Sequence, residues 1–233
     1  MKNAILMASG LGTRMKPLTE SVPKPLIKVI DKPMIETIID ALLQEKIENI
    51  YIVVGYLKEQ FEYLKQKYKN ITLIENPDYL TVNNISSIYY ARNVLRQGDC
   101  YICEADLFVS NPSVLKVDLK ESCYFGKMIK GYSEDWVFDL GKQGFISRVG
   151  KYGTDCYNMT GIAYFKSEEA LILADVIEET YNSQGFESLF WDEVVNNNLD
   201  KLKLKVYPIQ LGDIIEIDTV NELEEVRNSV CRS

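Results

Sequence analysis

The sequence predicts an α/β fold: a Rossmann-like, mixed but mainly parallel sheet with helices on both faces and an inserted antiparallel β arm. Three observations predict it. The first 75 residues alternate short apolar runs with stretches of helical spacing. Between about residues 122 and 165 that pattern gives way to strand-like runs separated by glycines. Helical spacing then returns. Alternating strand and helix is the grammar of a parallel sheet covered on its faces. At 233 residues and 46% hydrophobic content, the chain reads as one domain, 1–233, with the arm at about 122–165.

The elements follow in order. Ala4 to Ala8 is an apolar run and a buried first strand. Pro33 to Glu45 carries Met34, Ile35, Ile38, Ile39, Leu42 and Leu43 at helical spacing. Ile50 to Val54 is a strand ending at Gly55, Leu57 to Tyr68 an amphipathic helix, and Ile71 to Ile74 a third strand. Asn83 or Asn84 opens a helix to about Leu95, and Cys100 to Ala105 is a strand ending in Asp106. The arm shows four short runs: Ser122–Met128, Trp136–Leu140, Gly144–Val149 and Met159–Phe165. Ser167–Tyr181 and Phe186–Asn196 read as helices, Leu202–Pro208 and Ile214–Ile217 as strands. Thr219-x-x-Glu222 is a capping box opening the last helix.

The first loop carries the chemistry. Gly10-Leu11-Gly12-Thr13-Arg14 follows the first strand, and Pro23-Lys24-Pro25 comes shortly after. Glycines let backbone N–H groups approach phosphate oxygens closely. An Arg forks onto two such oxygens, and a Lys is a movable point charge. These are the parts of a triphosphate cradle, with Ala8 at its edge. It is not a P-loop, because no Lys-Ser or Lys-Thr follows Gly12, and Met15 replaces the third glycine of a dinucleotide fingerprint.

Composition narrows the chemistry. The net charge of −8 argues against nucleic acid as a partner. No apolar run approaches the roughly 20 residues of a membrane span, and no signal peptide is visible. Five scattered cysteines, including Cys100-x-x-Cys103 in a predicted strand, fit free thiols in a reducing cytoplasm. The chain has no histidine, which removes His-based triads and imidazole acid–base chemistry. A phosphate attacking a nucleotide α-phosphate suits such a chain, because that nucleophile arrives already ionised.

Two acids sit where strands run out: Asp106 and Asp218. Carboxylates meeting from different strands suit a Mg²⁺ that also binds phosphate oxygens. Each also reads as a loop or N-cap aspartate. Trp136 and Trp191 each lie beside acids, with Phe190 and Asp192 adjoining. Aromatic faces suit a quaternary ammonium, and carboxylates suit a primary one. The same aromatics also read as core.

The Gly-x-Gly-Thr-Arg loop with its Pro-Lys resembles the signature of the sugar-phosphate and choline-phosphate nucleotidyltransferases. Similarity to the bacterial choline-phosphate cytidylyltransferases spans nearly the whole chain, through Gly10–Arg14, Val54–Phe61, Asn83-Asn84-x-x-Ser87 and Phe190-Trp191-Asp192. The resemblance implies a GT-A-like fold, and it implies that Asp106 and Ile217-Asp218-Thr219 supply metal ligands. Lys151, ahead of Tyr157-Asn-Met-Thr-Gly161, would grip the phosphate of the second substrate. Asn84 and Ser87 would read the cytosine edge or simply cap their helix. The expected reaction moves CMP from CTP to a small phosphorylated amino alcohol, first phosphocholine, with 2-aminoethylphosphonate and phosphoethanolamine close behind. A sugar 1-phosphate acceptor and a non-catalytic nucleotide-binding module are the further alternatives. Nothing in the sequence indicates the oligomeric state.

Overall fold

The computed structural model describes residues 1–230. Cys231 lies outside the described residues. In chain order the elements are β1 (Lys2–Ala8), α1 (Met34–Gln44), β2 (Asn49–Val54), α2 (Glu62–Lys67), β3 (Ile71–Glu75), α3 (Ile85–Leu95) and β4 (Asp99–Glu104). They continue as β5 (Leu107–Val109), β6 (Cys123–Leu140), β7 (Ile146–Phe165), α4 (Ser167–Tyr181), α5 (Trp191–Asn196), β8 (Lys205–Ile209), β9 (Ile214–Glu216) and α6 (Val220–Val230).

Seven strands form one sheet in the order β3-β2-β1-β4-β7-β6-β8. The pairs among β1 to β4 are parallel, β7 joins β4 antiparallel, and β8 lies parallel to β6. β1 shows why helices cover both faces. Ala4, Leu6 and Ala8 pack with Ile35, Ile38 and Leu42 of α1, whereas Ile5 packs with Ile88 of α3 and Leu173 of α4. Successive strand residues point to opposite faces, so an all-apolar strand needs a helical layer on each. A third cluster, with Met15, Val29, Met34, Ile217 and Leu223, fastens α6 over the loop that follows β1.

Several expected boundaries move. The predicted helix over 57–68 begins as a 3₁₀ turn at Lys58–Phe61, because Leu57 is left-handed. The helix expected from Phe186 starts at Trp191, with Phe190 as its N-cap. A short antiparallel pair, β5 with β9, was not anticipated.

The arm differs most. Its four predicted runs belong to two strands of 18 and 20 residues that turn a corner together. Asn158 pairs with both Lys127 and Val137, and Val137 pairs with both Asn158 and Gly150. The outer half of the hairpin therefore folds back beside the inner half. The inner half is part of the main sheet rather than a separate cover. Gly131, Tyr152 and Asp155 take positive φ at the corner, and the Gly131 N–H donates to Asp155 Oδ1 at 2.8 Å.

Candidate active site

A cavity of about 580 Å³ opens at the carboxyl ends of β1 and β4, where open α/β sheets hold ligands. Ala8, Gly10, Gly12, Thr13, Arg14 and Lys24 line one end of it. A side chain at Gly10 would meet nothing within 4 Å, so the turn is bare toward the opening. Gly12 has φ 61, and a Cβ there would come within 2.8 Å of Lys24 Cβ. The second glycine is thus what lets the Lys24 stem pack under the loop. Thr19 reinforces this by donating to the Gly12 carbonyl at 2.9 Å. The Leu11 side chain is exposed at the apex of the turn and does not line the cavity, so what this residue can offer a ligand is its backbone.

Lys24 Nζ lies 2.6 Å from Asp106 Oδ2 and 2.7 Å from Asp218 Oδ1. Arg14 donates to the same Asp218 oxygen at 2.7 Å. Burial disfavours the Lys24 charge, but the two aspartates outweigh it and raise the pKa, so the ammonium persists. Asp218 does not cap α6. Thr219 does, accepting from the Glu222 N–H, while Glu222 Oε2 accepts from the N–H groups of Asp218 and Thr219. The carboxylate of Asp218 is therefore left to the cavity.

Sequence reasoning missed a third acid. Oxygens of Asp106, Glu216 and Asp218 all lie within 4.8 Å of one another. Glu216 touches solvent, yet the surrounding protein and the two aspartates push its carboxyl up to about 8. The signal was present: Glu216-Ile-Asp218 and Glu104-Ala-Asp106 both place acids two apart around a buried residue, hence on one face. β5 and β9 bring those two segments side by side, with Leu107 opposite Glu216.

Opposite the loop stands a buried polar cluster. Asn76, 1% exposed, donates to Ser86 Oγ at 2.8 Å and to Ser9 Oγ at 3.2 Å. Ser9 and Ser87 share a hydrogen bond at 2.9 Å. Ser87 and Asn84 both line the cavity, as do Tyr79 and Val82. Asn84 makes no side-chain cap on α3; its Oδ1 accepts from the Trp191 N–H at 3.0 Å and ties α3 to α5.

The far end is aromatic and acidic. Lys151 pairs with Trp136 across the hairpin, and both line the cavity with Phe190 and Asp192. The Trp136 and Phe190 rings meet edge to face at 5.5 Å. Glu104 and Asp135 add carboxylates to the same wall. Burial pushes Asp192 up to about 7, opposed by the Tyr124 hydroxyl, which donates to it at 2.9 Å. Burial and neighbouring acids also push Glu104 well up. Of its two readings, substrate wall or core, Trp191 takes the core. It is 3% exposed, packs against Tyr124 and Phe165, and belongs to the core rather than the wall. Its place on the inner face of α5 turns the indole away from the cavity that Phe190 and Asp192 reach.

Residues 3–123 match the family model described as nucleotidyl transferase. The chain is 51% identical over 221 residues to the 2-aminoethylphosphonate cytidylyltransferase of Lancefieldella rimae, covering 95% of this chain and 90% of that one. It is 34% identical over 226 residues to the choline-phosphate cytidylyltransferase of Streptococcus pneumoniae, covering 96% and 97%. A solved structure of CTP:phosphocholine cytidylyltransferase from Streptococcus pneumoniae aligns with a TM-score of 0.90 at 32% identity, covering 98% of this chain and 99% of that one.

Proposed function

The chain belongs to the nucleotidyl transferase family, and from that premise we propose that it transfers CMP from CTP to 2-aminoethylphosphonate. Cytidylyl transfer to a phosphonate or phosphate amine is the coarser statement, carried by relatives covering nearly the whole chain. The observation that favours this acceptor is the pairing of Trp136 and Phe190 with the carboxylates of Glu104, Asp135 and Asp192. A primary ammonium has three N–H donors for those oxygens, while its charge still gains from the ring faces. A trimethylammonium has no donors and would leave the buried Asp192 carboxyl, and the less buried Glu104 and Asp135, facing methyl groups. The resemblance alone ranked phosphocholine first; the acids reverse that order.

In this reading the acceptor phosphonate, already ionised, attacks the α-phosphorus. A new P–O bond forms, the bond to the bridging oxygen breaks, and pyrophosphate leaves with the electron pair. Arg14 and Lys24 offset the triphosphate charge, and the Gly10–Thr13 backbone turns its N–H groups to the phosphates. Ser87 and Asn84, which line the cavity, would read the base. Lys151 orients the phosphonate from the opposite wall. The work is positioning and charge stabilisation. The Asp106 and Asp218 oxygens are hard donors that already meet at the Lys24 ammonium, with a Glu216 oxygen within 4.8 Å of both, so the set fits Mg²⁺. Held there, the ion would neutralise negative charge on phosphate oxygens.

The test is pyrophosphate release with Mg²⁺ and CTP against 2-aminoethylphosphonate, phosphocholine, phosphoethanolamine and glucose 1-phosphate. The highest kcat/KM is expected with 2-aminoethylphosphonate. A higher value with phosphocholine would overturn the acceptor assignment. Silence with all four, with CTP still bound, would point to a nucleotide-binding module.

A further inference from the structure

Lys151 does not sit on a regular strand. It stands at the corner where β7 bends, between Gly150, which still pairs with Val137, and Tyr152, whose φ is 67. A tyrosine in the left-handed region is held there by its surroundings. The Arg148 guanidinium reaches its carbonyl.

All three nitrogens of the Arg148 guanidinium donate. Its Nε donates to Asp139 Oδ2 at 2.5 Å and its Nη2 to Asp139 Oδ1 at 3.1 Å, a two-point grip on the neighbouring strand. Its Nη1 donates to the Lys151 carbonyl at 3.1 Å, and Nη2 also donates to the Tyr152 carbonyl at 3.0 Å. One planar group thus spans from the outer strand to two successive carbonyls of the corner. The guanidinium lies close over Gly150, where a Cβ would come within 2.8 Å of Nη1.

We propose that Arg148, anchored by Asp139, is a positioning residue that fixes the β7 corner and so presents Lys151 to the acceptor's phosphonate or phosphate group. It touches no substrate; it acts through the backbone of the residue that does. The proposal rests on the reading of Lys151 as the acceptor-orienting cation. The geometry demands a fork: an ammonium carries the same charge but cannot bridge a carboxylate and two carbonyls in one plane. Because Lys151 and Trp136 are paired, the corner also sets the separation of cation and ring across the acceptor end.

The test is a kinetic cycle on the full chain, with CTP and 2-aminoethylphosphonate varied independently, for wild type, Arg148→Lys, Lys151→Ala and the double variant. Arg148→Lys is expected to raise the acceptor KM by about 10-fold or more, since small displacements of a positioning group cost up to about 10²-fold. The CTP KM should stay within about twofold, and thermal melting should show a folded protein. The double variant should be no worse than Lys151→Ala alone, because both changes remove one function. A loss in Arg148→Lys that multiplies with that of Lys151→Ala, or that raises both KM values together, would overturn the proposal in favour of a general structural role. A normal acceptor KM in Arg148→Lys beside a raised one in Lys151→Ala would overturn it while leaving the assigned function standing. A normal acceptor KM in Lys151→Ala would overturn the reading of Lys151 and the proposal with it.

Discussion

One wall of the cavity is made from the ends of parallel strands and the tight turn after β1; the other is made from a hairpin folded over on itself. In the first wall each functional group is locked by neighbours distant in sequence. Lys24 is clasped by Asp106 and Asp218, and Ser87 is tied through Asn76 and Ser9. In the second, groups are placed by a local corner. Lys151, Trp136 and Asp135 all come from the bend and its edges. The difference bears on substrate choice. On the proposed reading, the strand-end wall would hold the nucleotide, and the bent hairpin would bring Lys151, Trp136 and Asp135 to the acceptor beside Glu104 of β4 and Asp192 of α5.

That division can be broken experimentally, and the largest expected effect is on the shared wall. Asp106→Asn removes a charge from the acid group; turnover should fall on the order of 10³-fold or more, with the melting temperature near that of wild type. Normal turnover would remove Asp106 from the proposed metal set. Gly12→Ala should come next. It puts a Cβ into a left-handed position, which costs about 1–2 kcal/mol, and 2.8 Å from Lys24. The CTP KM should rise roughly 10-fold or more while the acceptor KM hardly moves. An acceptor KM that rises as much would show that the two walls are not independent.

The hairpin wall should respond more gently and with the opposite selectivity. Trp136→Ala should raise the acceptor KM by about 2–30-fold, the equivalent of the ~0.5–2 kcal/mol of a cation–π contact, and spare CTP. Trp191→Phe, in the core, should lower the melting temperature and leave both KM values alone. The smallest effect is a pH dependence. With Asp192 pushed up to about 7, the free enzyme loses that carboxylate as pH falls through 7. Acceptor kcat/KM should therefore show an acid limb near pH 7. Tyr124→Phe removes the donor that opposes the shift, so the limb should move to higher pH. Stability runs the other way. Folding raises this pKa, so the protonated carboxyl favours the native state at low pH, and that contribution is lost as pH rises through 7. Absence of any acid limb, or a Tyr124→Phe limb that stays in place, would remove Asp192 from acceptor binding.

The two walls also differ in how far the sequence discloses them. The parallel half was legible because its signals are local and periodic: apolar strands bounded by a glycine turn, helices with a regular apolar face. Thr219-x-x-Glu222 likewise reads as a cap from four residues alone. The bent hairpin was not legible, since four short apolar runs look the same whether they end at turns or continue around a corner. Only the double pairing of Val137 and Asn158 tells them apart. Trp191 misled because adjacency to acids in sequence says nothing about which side of a short helix a ring takes. Glu216 is less legible because it reads as an ordinary strand residue before Asp218, although the two-residue spacing puts both acids on one face.

The acid cluster has a consequence for how the molecule is made. Arg14 and Asp218 are bonded across 204 positions of sequence, and Lys24 reaches the same aspartate across 194. During synthesis the cationic loop emerges early, meets Asp106 before the chain is half made, and waits for Asp218 until nearly the whole described chain has left the ribosome. No early fragment possesses the complete cluster. By the same token, anything that binds there joins the early and late parts of the polypeptide, and its grip is felt as resistance of the entire domain to unfolding.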